Sequence, residues 1–432
     1  MNIGIIGLWH QGIVGAACLA EAGHRVVARD GRGATVEALR RGESPIYEPG
    51  LDDLLRAGLA SGRLSFTESV AEAVSGAEVV FLMHDTPVDE QDFSDLSGVF
   101  GDVEAMIPHL GEGVTLVVTA QVQVGTCDQM GRRIEEARPG LGVSMAYIPE
   151  NLRLGQALER FRDPPLPVVG TEDDGAFEMV RTLFPGARWE RVSLRTGEMV
   201  KHALNGFLAT CVTFANEVGN VCDEVGADGH RLAEVLRMEP RVGAKAMLFP
   251  GLGFSGGTLA RDVQTLRGLG DSHGLETPML DGLWRSNRQQ NDLVVRKLKA
   301  CWGGELAGKR VAILGITYKP DTSTLRRSAA LGVAEALRGE GVEVWATDPM
   351  ADRGEVAEVD GLVFKESVEA AVEEADAVVL MTPWKVFKEI DPPHVGGRMR
   401  GRVVLDTANL WKREVWEAAG FVYLDIGRGR KS

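Results

Sequence analysis

An α/β architecture, two doubly wound parallel-sheet domains joined by a helical middle domain, follows from three features of the chain. Short apolar runs alternate with helical stretches from residue 2 onward, as in "NIGIIG", "RVVARD", "AEVVFLM" and "VTLVV", which is the signature of a parallel sheet covered by helices. From Glu198 the pattern changes. "EMVKHALNGFLATCVTFANEVGNVCDEVG" and "MLDGLWRSNRQQNDLVVRKLKACW" are apolar at helical spacing and hold no strand candidate. Strand and helix alternate again from "GKRVAILGITYKP". There "FKESVEAAVEEADAVVLMTP" (364–383) echoes "FTESVAEAVSGAEVVFLMHDTP" (66–87), sharing Phe, Glu-Ser-Val and a terminal Thr-Pro. The expected divisions are 1–192, 193–304 and 305–432.

Size and charge bound what such a chain does. Its 432 residues suffice for two or three full cores, and 44% hydrophobic with 25% charged residues is ordinary globular composition. No apolar run approaches the roughly 18 residues that span a bilayer, and "MNIGIIGLWH" lacks the basic start of a signal peptide. Five cysteines without CxxC spacing imply reduced thiols, a cytoplasmic setting and no zinc. A net charge of −15 speaks against nucleic acid and anionic membrane as partners.

The first α/β region carries a dinucleotide loop in altered form. "GLWHQG" (7–12) follows a strand and opens a helix expected from about Gly12. Gly7 suits the tight turn and Gly12 the close packing of helix on strand, while Trp9 stands where a middle glycine admits pyrophosphate. Asp30 ends the second strand about 20 residues on, where a carboxylate holds the ribose hydroxyls and repels a 2′-phosphate. This Rossmann-like arrangement favours NAD over NADP, although Arg29 and Arg32 flank the carboxylate.

The chain resembles the UDP-glucose/GDP-mannose dehydrogenase family over nearly its whole length. The residues that carry the likeness are "SPIYEPGLDDLL" (44–55), "PENLRLG" (149–155), "KHALNGFLAT…FANEV" (201–218), "RVG" (241–243), "GFSGGTLARD" (253–262) and "KPDTSTLRRS" (319–328). The resemblance implies NAD-dependent oxidation of a nucleotide sugar's primary alcohol. Lys201 matches an oxyanion-stabilising lysine, Asp262 the aspartate that positions water, and Glu150 a proposed general base. Asn205 lies four residues beyond Lys201 and so projects from the same helix face, where Ala203 and Phe207 are expected to enforce burial. Thr86 and Gln121 match cofactor contacts. Asn151, Leu152, Arg153, Phe254, Gly256 and Lys319 match substrate-binding segments. Arg241 and Arg326 are the candidates for the diphosphate and sugar, because guanidinium forks phosphate oxygens.

Several positions depart from the family pattern. Thr258 aligns with its nucleophilic cysteine, Gln121 with a threonine near the reacting carbon, and Asn151 and Leu154 with a phenylalanine and a glutamate. His84-Asp85 replace Val-Gly. A threonine hydroxyl is far less acidic than a thiol, and no histidine is identifiable as its base, so a covalent adduct on Thr258 is not expected. Cys211 and Cys222 read as core residues. The expected activity is NAD-dependent oxidation of a nucleotide-linked alcohol that ends at the aldehyde. Oxidation through a water-derived gem-diol and nucleotide-sugar binding without turnover remain open. A homodimer is expected, with the apolar stripe of "MLDGLWRSNRQQNDLVVRKL" compatible with its interface, and no ligand cluster implies a metal.

Overall fold

The computed structural model describes residues 1–89, 94–255 and 258–429, and its chain divides into two compact units, Met1–Leu204 and Asn205–Ser432. The first holds β1 (Asn2–Ile6), β2 (Arg25–Arg29), β3 (Leu64–Thr67), β4 (Val79–Leu82), β5 (Thr115–Val118), β6 (Ser144–Tyr147), β7 (Val168–Gly170) and β8 (Glu190–Val192). They form one sheet in the order β3-β2-β1-β4-β5-β6-β7-β8, parallel except where β6 meets β7. The chain reverses direction across the sheet between β1 and β4, the crevice in which doubly wound folds hold a dinucleotide.

Alternation along the strands explains why helices cover both faces. On β1, Ile3 and Ile5 enter one buried cluster and Ile6 the other; on β4, Val79 and Phe81 oppose Val80 and Leu82. A strand apolar on both sides is stable only with a layer on each.

The second unit opens with helices, notably Leu259–Ser272 and Pro278–Asn291, and continues into a second sheet. Its strands are β9 (Arg310–Leu314), β10 (Glu343–Thr347), β11 (Val363–Phe364), β12 (Ala377–Leu380), β13 (Val403–Asp406) and β14 (Val422–Asp425), all parallel in the order β11-β10-β9-β12-β13-β14. The two α/β regions thus share one winding, and the sequence echo marks the same place in each. Ser69 follows β3 and caps the helix Val70–Val74 by accepting from the Glu72 N–H; Ser367 follows β11 and caps Val368–Val372 by accepting from Ala370. Each such cap contributes about 1 kcal/mol.

One helix, Leu194–Val225, runs through the boundary between the units. Lys201, His202, Asn205, Gly206 and Ala209 form its buried stripe, whereas Ala203 and Phe207 are exposed. This corrects the expectation that those two enforce burial of the polar pair: they lie two residues past Lys201 and Asn205, roughly 200° around the helix. The first helix also begins earlier than expected, at His10.

Within 279–298, Leu283, Val294 and Leu298 are buried, whereas Met279 is exposed. The long helix leaves Phe207, Phe214, Val221 and Val225 exposed. Cys222 is buried, in keeping with a core role, Cys211 is half-buried, and all five cysteines are free.

Candidate active site

Two glycines shape the end of β1. Gly7 has φ 97°, and a side chain there would meet the Met83 carbonyl; a Cβ on Gly12 would fall 1.8 Å from the Gly7 oxygen. Helix His10–Glu21 therefore packs directly on the turn, as a dinucleotide loop requires. Trp9 at the middle position has ordinary extended backbone (φ −100°), so it needs no glycine there, and its indole is partly exposed. It is the N-cap residue without capping through its side chain, which leaves the first N–H groups of the helix available to a pyrophosphate.

Beside this turn lies a pocket of about 370 Å³ walled by Gly7, Trp9, Asp30, Arg32, His84 and Asp102, among others. Buried Asp30 accepts the Leu8 N–H at 2.9 Å and the Arg32 guanidinium through Nε (2.8 Å) and Nη2 (2.9 Å). Burial raises the Asp30 carboxyl, but the arginine and the backbone donors outweigh it and hold it below the usual range. His84 hydrogen-bonds Asp102, which also pairs with Arg29 at 2.6 Å. Burial pushes the Asp102 carboxyl up, and these two partners more than offset it. The residues present fit NAD: turn, open helix end and strand-terminal carboxylate are all in place. Thr86, past β4, and Gln121, past β5, are buried at strand ends on this side of the sheet.

The 149–157 segment is tied down by a residue that motif reading passed over. Glu48, inside the "SPIYEPG" stretch and nearly fully buried, accepts the N–H groups of Gly155 (2.9 Å) and Ala157 (2.7 Å) and contacts His10 Nε2 at 3.3 Å. Glu150 accepts the Leu152 N–H. Asn151 donates to the Pro149 carbonyl at 3.0 Å and accepts from Lys201 Nζ at 3.3 Å, so it orients the lysine. Leu152 packs on the core, and Arg153 is exposed. Glu198, one turn before Lys201 and fully buried, accepts the N–H groups of Gly125 (2.6 Å) and Cys127 (2.7 Å), closing the start of helix Thr126–Ala137. Cys127 is fully buried there, and burial, reinforced by Glu198, drives its thiol well above the ordinary range.

In the second unit, Asn205 Nδ2 donates to Asp262 Oδ2, and both side chains are buried, Asp262 completely. Asp262 lies in the first turn of helix Leu259–Ser272. Thr258 is that helix's N-cap residue, yet its hydroxyl makes no capping bond and it is exposed. The loop leading to it is clamped by amides. Asn287 accepts the Phe254 N–H (2.8 Å) and donates to its carbonyl (3.0 Å); Asn216 binds Gly251 and Leu252, and Gln290 binds Gly251. Gly256 lies outside the described residues.

The remaining substrate candidates sit on turns. Lys319 and Arg326 share the loop after β9, which holds Asp321 and Arg327 at positive φ (63° and 61°) and is braced by Glu355 on Leu325 and Thr324. Both candidate cations are exposed. Arg241 is exposed as well and pairs with nearby Glu239 at 3.0 Å.

Comparison with known proteins agrees with this fold. Residues 1–187, 195–289 and 312–413 match the UDP-glucose/GDP-mannose dehydrogenase profiles for the NAD binding, central and UDP binding domains. The UDP-glucose 6-dehydrogenase of Rhizobium meliloti (strain 1021) is 34% identical, over 99% of this chain and 100% of that one. That of Pseudomonas aeruginosa is 36% identical over 100% of this chain and 98% of its own. The structure of a UDP-glucose dehydrogenase from the hyperthermophilic archaeon Pyrobaculum islandicum superposes with a TM-score of 0.86 at 33% identity, covering 98% of this chain and 96% of that one. Among the described residues no helix is long and apolar enough to cross a membrane. The chain is an NAD-dependent oxidoreductase, and it belongs to the UDP-glucose/GDP-mannose dehydrogenase family.

Proposed function

We propose that this protein oxidises the primary alcohol of a nucleotide-linked sugar of the UDP-glucose kind, releasing the aldehyde after one hydride transfer. NAD⁺, when bound, accepts that hydride. Lys201 presents its ammonium to the alcohol oxygen and stabilises the alkoxide as the proton leaves. Its bond to Asn151 fixes the direction of one N–H and so holds the ammonium in place. Asp262, oriented by Asn205, receives the alcohol proton through an ordered water. Glu150, with one oxygen held by Leu152, keeps the other for water or substrate. Arg241, Lys319 and Arg326 neutralise the diphosphate.

The observation that carries the reading is the burial of Lys201 and of the Asn205–Asp262 pair. A buried ammonium and carboxylate are costly unless a partner or a reaction uses them. Thr258 sets the end point. Its secondary hydroxyl stands where the family's cysteine is expected, and Cys127 is too buried to replace it. Without a thiolate adduct the aldehyde has no tetrahedral form on the protein from which a second hydride leaves. The experiment is NADH formed per nucleotide sugar consumed, across UDP-, GDP- and CDP-sugars, with hydroxylamine to trap aldehyde. One NADH with a trapped aldehyde is the expected result. Two would show that water supplies the adduct, and none would make the chain a binding protein.

The same reading includes a division at 1–192, 193–304 and 305–432, a cytoplasmic setting and a homodimer. Phe207, Phe214 and Val221 recur every seven residues on the long helix with large exposed side chains, and Cys211, Val218 and Val225 continue the seam at coiled-coil spacing. A second copy of this helix is the occupant we assign to that seam. Phe207→Glu with Phe214→Glu is expected to shift the protein from dimer to monomer in light scattering; a wild-type protein that is monomeric throughout would sink the assignment.

A further inference from the structure

Asp30, the carboxylate expected to choose NAD over NADP, is already engaged on every side. A carboxylate offers about four acceptor directions. Here Oδ1 takes the Arg32 backbone N–H (2.9 Å) and Arg32 Nε (2.8 Å), while Oδ2 takes the Leu8 N–H (2.9 Å) and Arg32 Nη2 (2.9 Å). Two of these donors are backbone and fixed; the other two belong to one side chain. The Arg32 guanidinium also donates to the Leu8 carbonyl at 3.0 Å and lies 5.7 Å from the centre of the Trp9 ring, at the mouth of the pocket. Its side chain is 53% exposed, so part of the guanidinium faces solvent. A ribose hydroxyl that binds Asp30 must displace this side chain.

Arg29, the other arginine of the pocket, is in a different position. It is held by Asp102 at 2.6 Å and by the Glu68 carbonyl at 3.3 Å, and its side chain is only 18% exposed. The second sheet offers an internal comparison. Asp348 stands after β10 as Asp30 stands after β2, and it accepts the Ile316 and Thr317 N–H groups, the Thr317 hydroxyl and the Trp384 indole N–H. Those donors are backbone or buried side chains, so that carboxylate is sealed for structure. Asp30 is instead covered on one side by a single half-exposed cation.

We propose that Arg32 is the coenzyme-selecting residue: paired with Asp30 it cancels the charge that rejects a 2′-phosphate, and the exposed part of the same guanidinium meets that phosphate, so the protein takes NADP⁺ as well as NAD⁺. A lone carboxylate in this place repels the extra phosphate, whereas a neutral pair does not, and a guanidinium fork matches phosphate oxygens geometrically. With NAD⁺ the same arginine competes against the ribose for Asp30. Arg32 therefore favours one coenzyme and hinders the other.

The inference rests on the dinucleotide reading of the first sheet and not on the identity of the sugar, so its test needs no sugar. Fluorescence titrations of NADH and NADPH would be run on the wild-type protein, Arg32→Ala and Arg32→Lys. The wild type is expected to bind the two within about tenfold of each other. Arg32→Ala should weaken NADPH by about tenfold or more, the worth of a charge-assisted pair, and leave NADH unchanged or tighter. Arg32→Lys should recover part of the NADPH binding, which a merely structural role would not produce. A wild type that binds NADPH about a hundredfold more weakly than NADH, or a ratio that Arg32→Ala leaves unchanged, overturns the proposal. Binding of neither coenzyme to folded protein would overturn the dinucleotide reading itself.

Discussion

Replacing Lys201 by methionine will lower kcat by about two to three orders of magnitude while NADH binds as before, the size of effect seen when one oxyanion donor is removed. The prediction follows from burial and partnership. Lys201 is 9% exposed on the long helix, and it donates to the Asn151 amide oxygen. An ammonium in that setting is attracted strongly by any negative charge that develops beside it, because little water screens the pair. Methionine keeps the unbranched length, so packing along the buried stripe of the helix survives and the loss reads as chemistry. The measurement is steady-state kcat and KM beside an NADH fluorescence titration and a thermal melt. A variant within about tenfold of wild-type kcat would remove Lys201 from the reaction.

Substituting Thr258→Cys will change the stoichiometry of the reaction itself, from one NADH per substrate to two. Thr258 is exposed as the first residue before helix Leu259–Ser272, and its hydroxyl takes no part in capping. A thiol at a helix N-terminus sits where the dipole lowers its pKa, so an appreciable thiolate fraction exists at neutral pH. Sulfur then adds to the aldehyde carbon, the oxygen takes a proton, and the hemithioacetal can lose hydride to a second NAD⁺. Water finally releases the acid and restores the thiol. Inactivation of Thr258→Cys by iodoacetamide, with protection by the nucleotide sugar, is the accompanying readout. If the variant still yields one NADH and an aldehyde that hydroxylamine traps, Thr258 does not set the end point.

The two substitutions test different halves of the chemistry. Lys201 lies in the first compact unit and Thr258 in the second, so each half of the proposal stands on its own measurement.

Much of the scaffold was legible before folding, for local reasons. Strand alternation in "NIGII" and "VVFL" announces a sheet covered on both faces, and the echo of Glu-Ser-Val marks the same capped helix in each α/β region. Gly7 and Gly12 were readable as turn and packing glycines because steric exclusion of a side chain is a property of each position. The pairing of Lys201 and Asn205 on one helix face is periodicity alone, although the neighbours expected to bury them turned out to face away.

Partnerships over long stretches of chain belonged to the folded molecule. Glu48 reaches Gly155 and Ala157 across 107 and 109 residues, Glu198 closes a helix 71 residues away at Cys127, and Asp262 meets Asn205 across 57. No spacing rule points to such pairs, since a carboxylate in a loop reads the same whether solvated or buried. The clamp of Asn216, Asn287 and Gln290 on the loop before Thr258 was hidden in the same way, because amides on helices resemble surface polarity until burial is known. The chain alone settled the winding of its sheets, the helical middle and the residue types at its proposed reactive positions, because these depend on periodicity and on what each side chain can sterically do. Tertiary structure alone decided which carboxylates are consumed as braces, which cysteine is sealed away and which arginine covers Asp30, because desolvation and hydrogen-bond saturation exist only once distant segments meet.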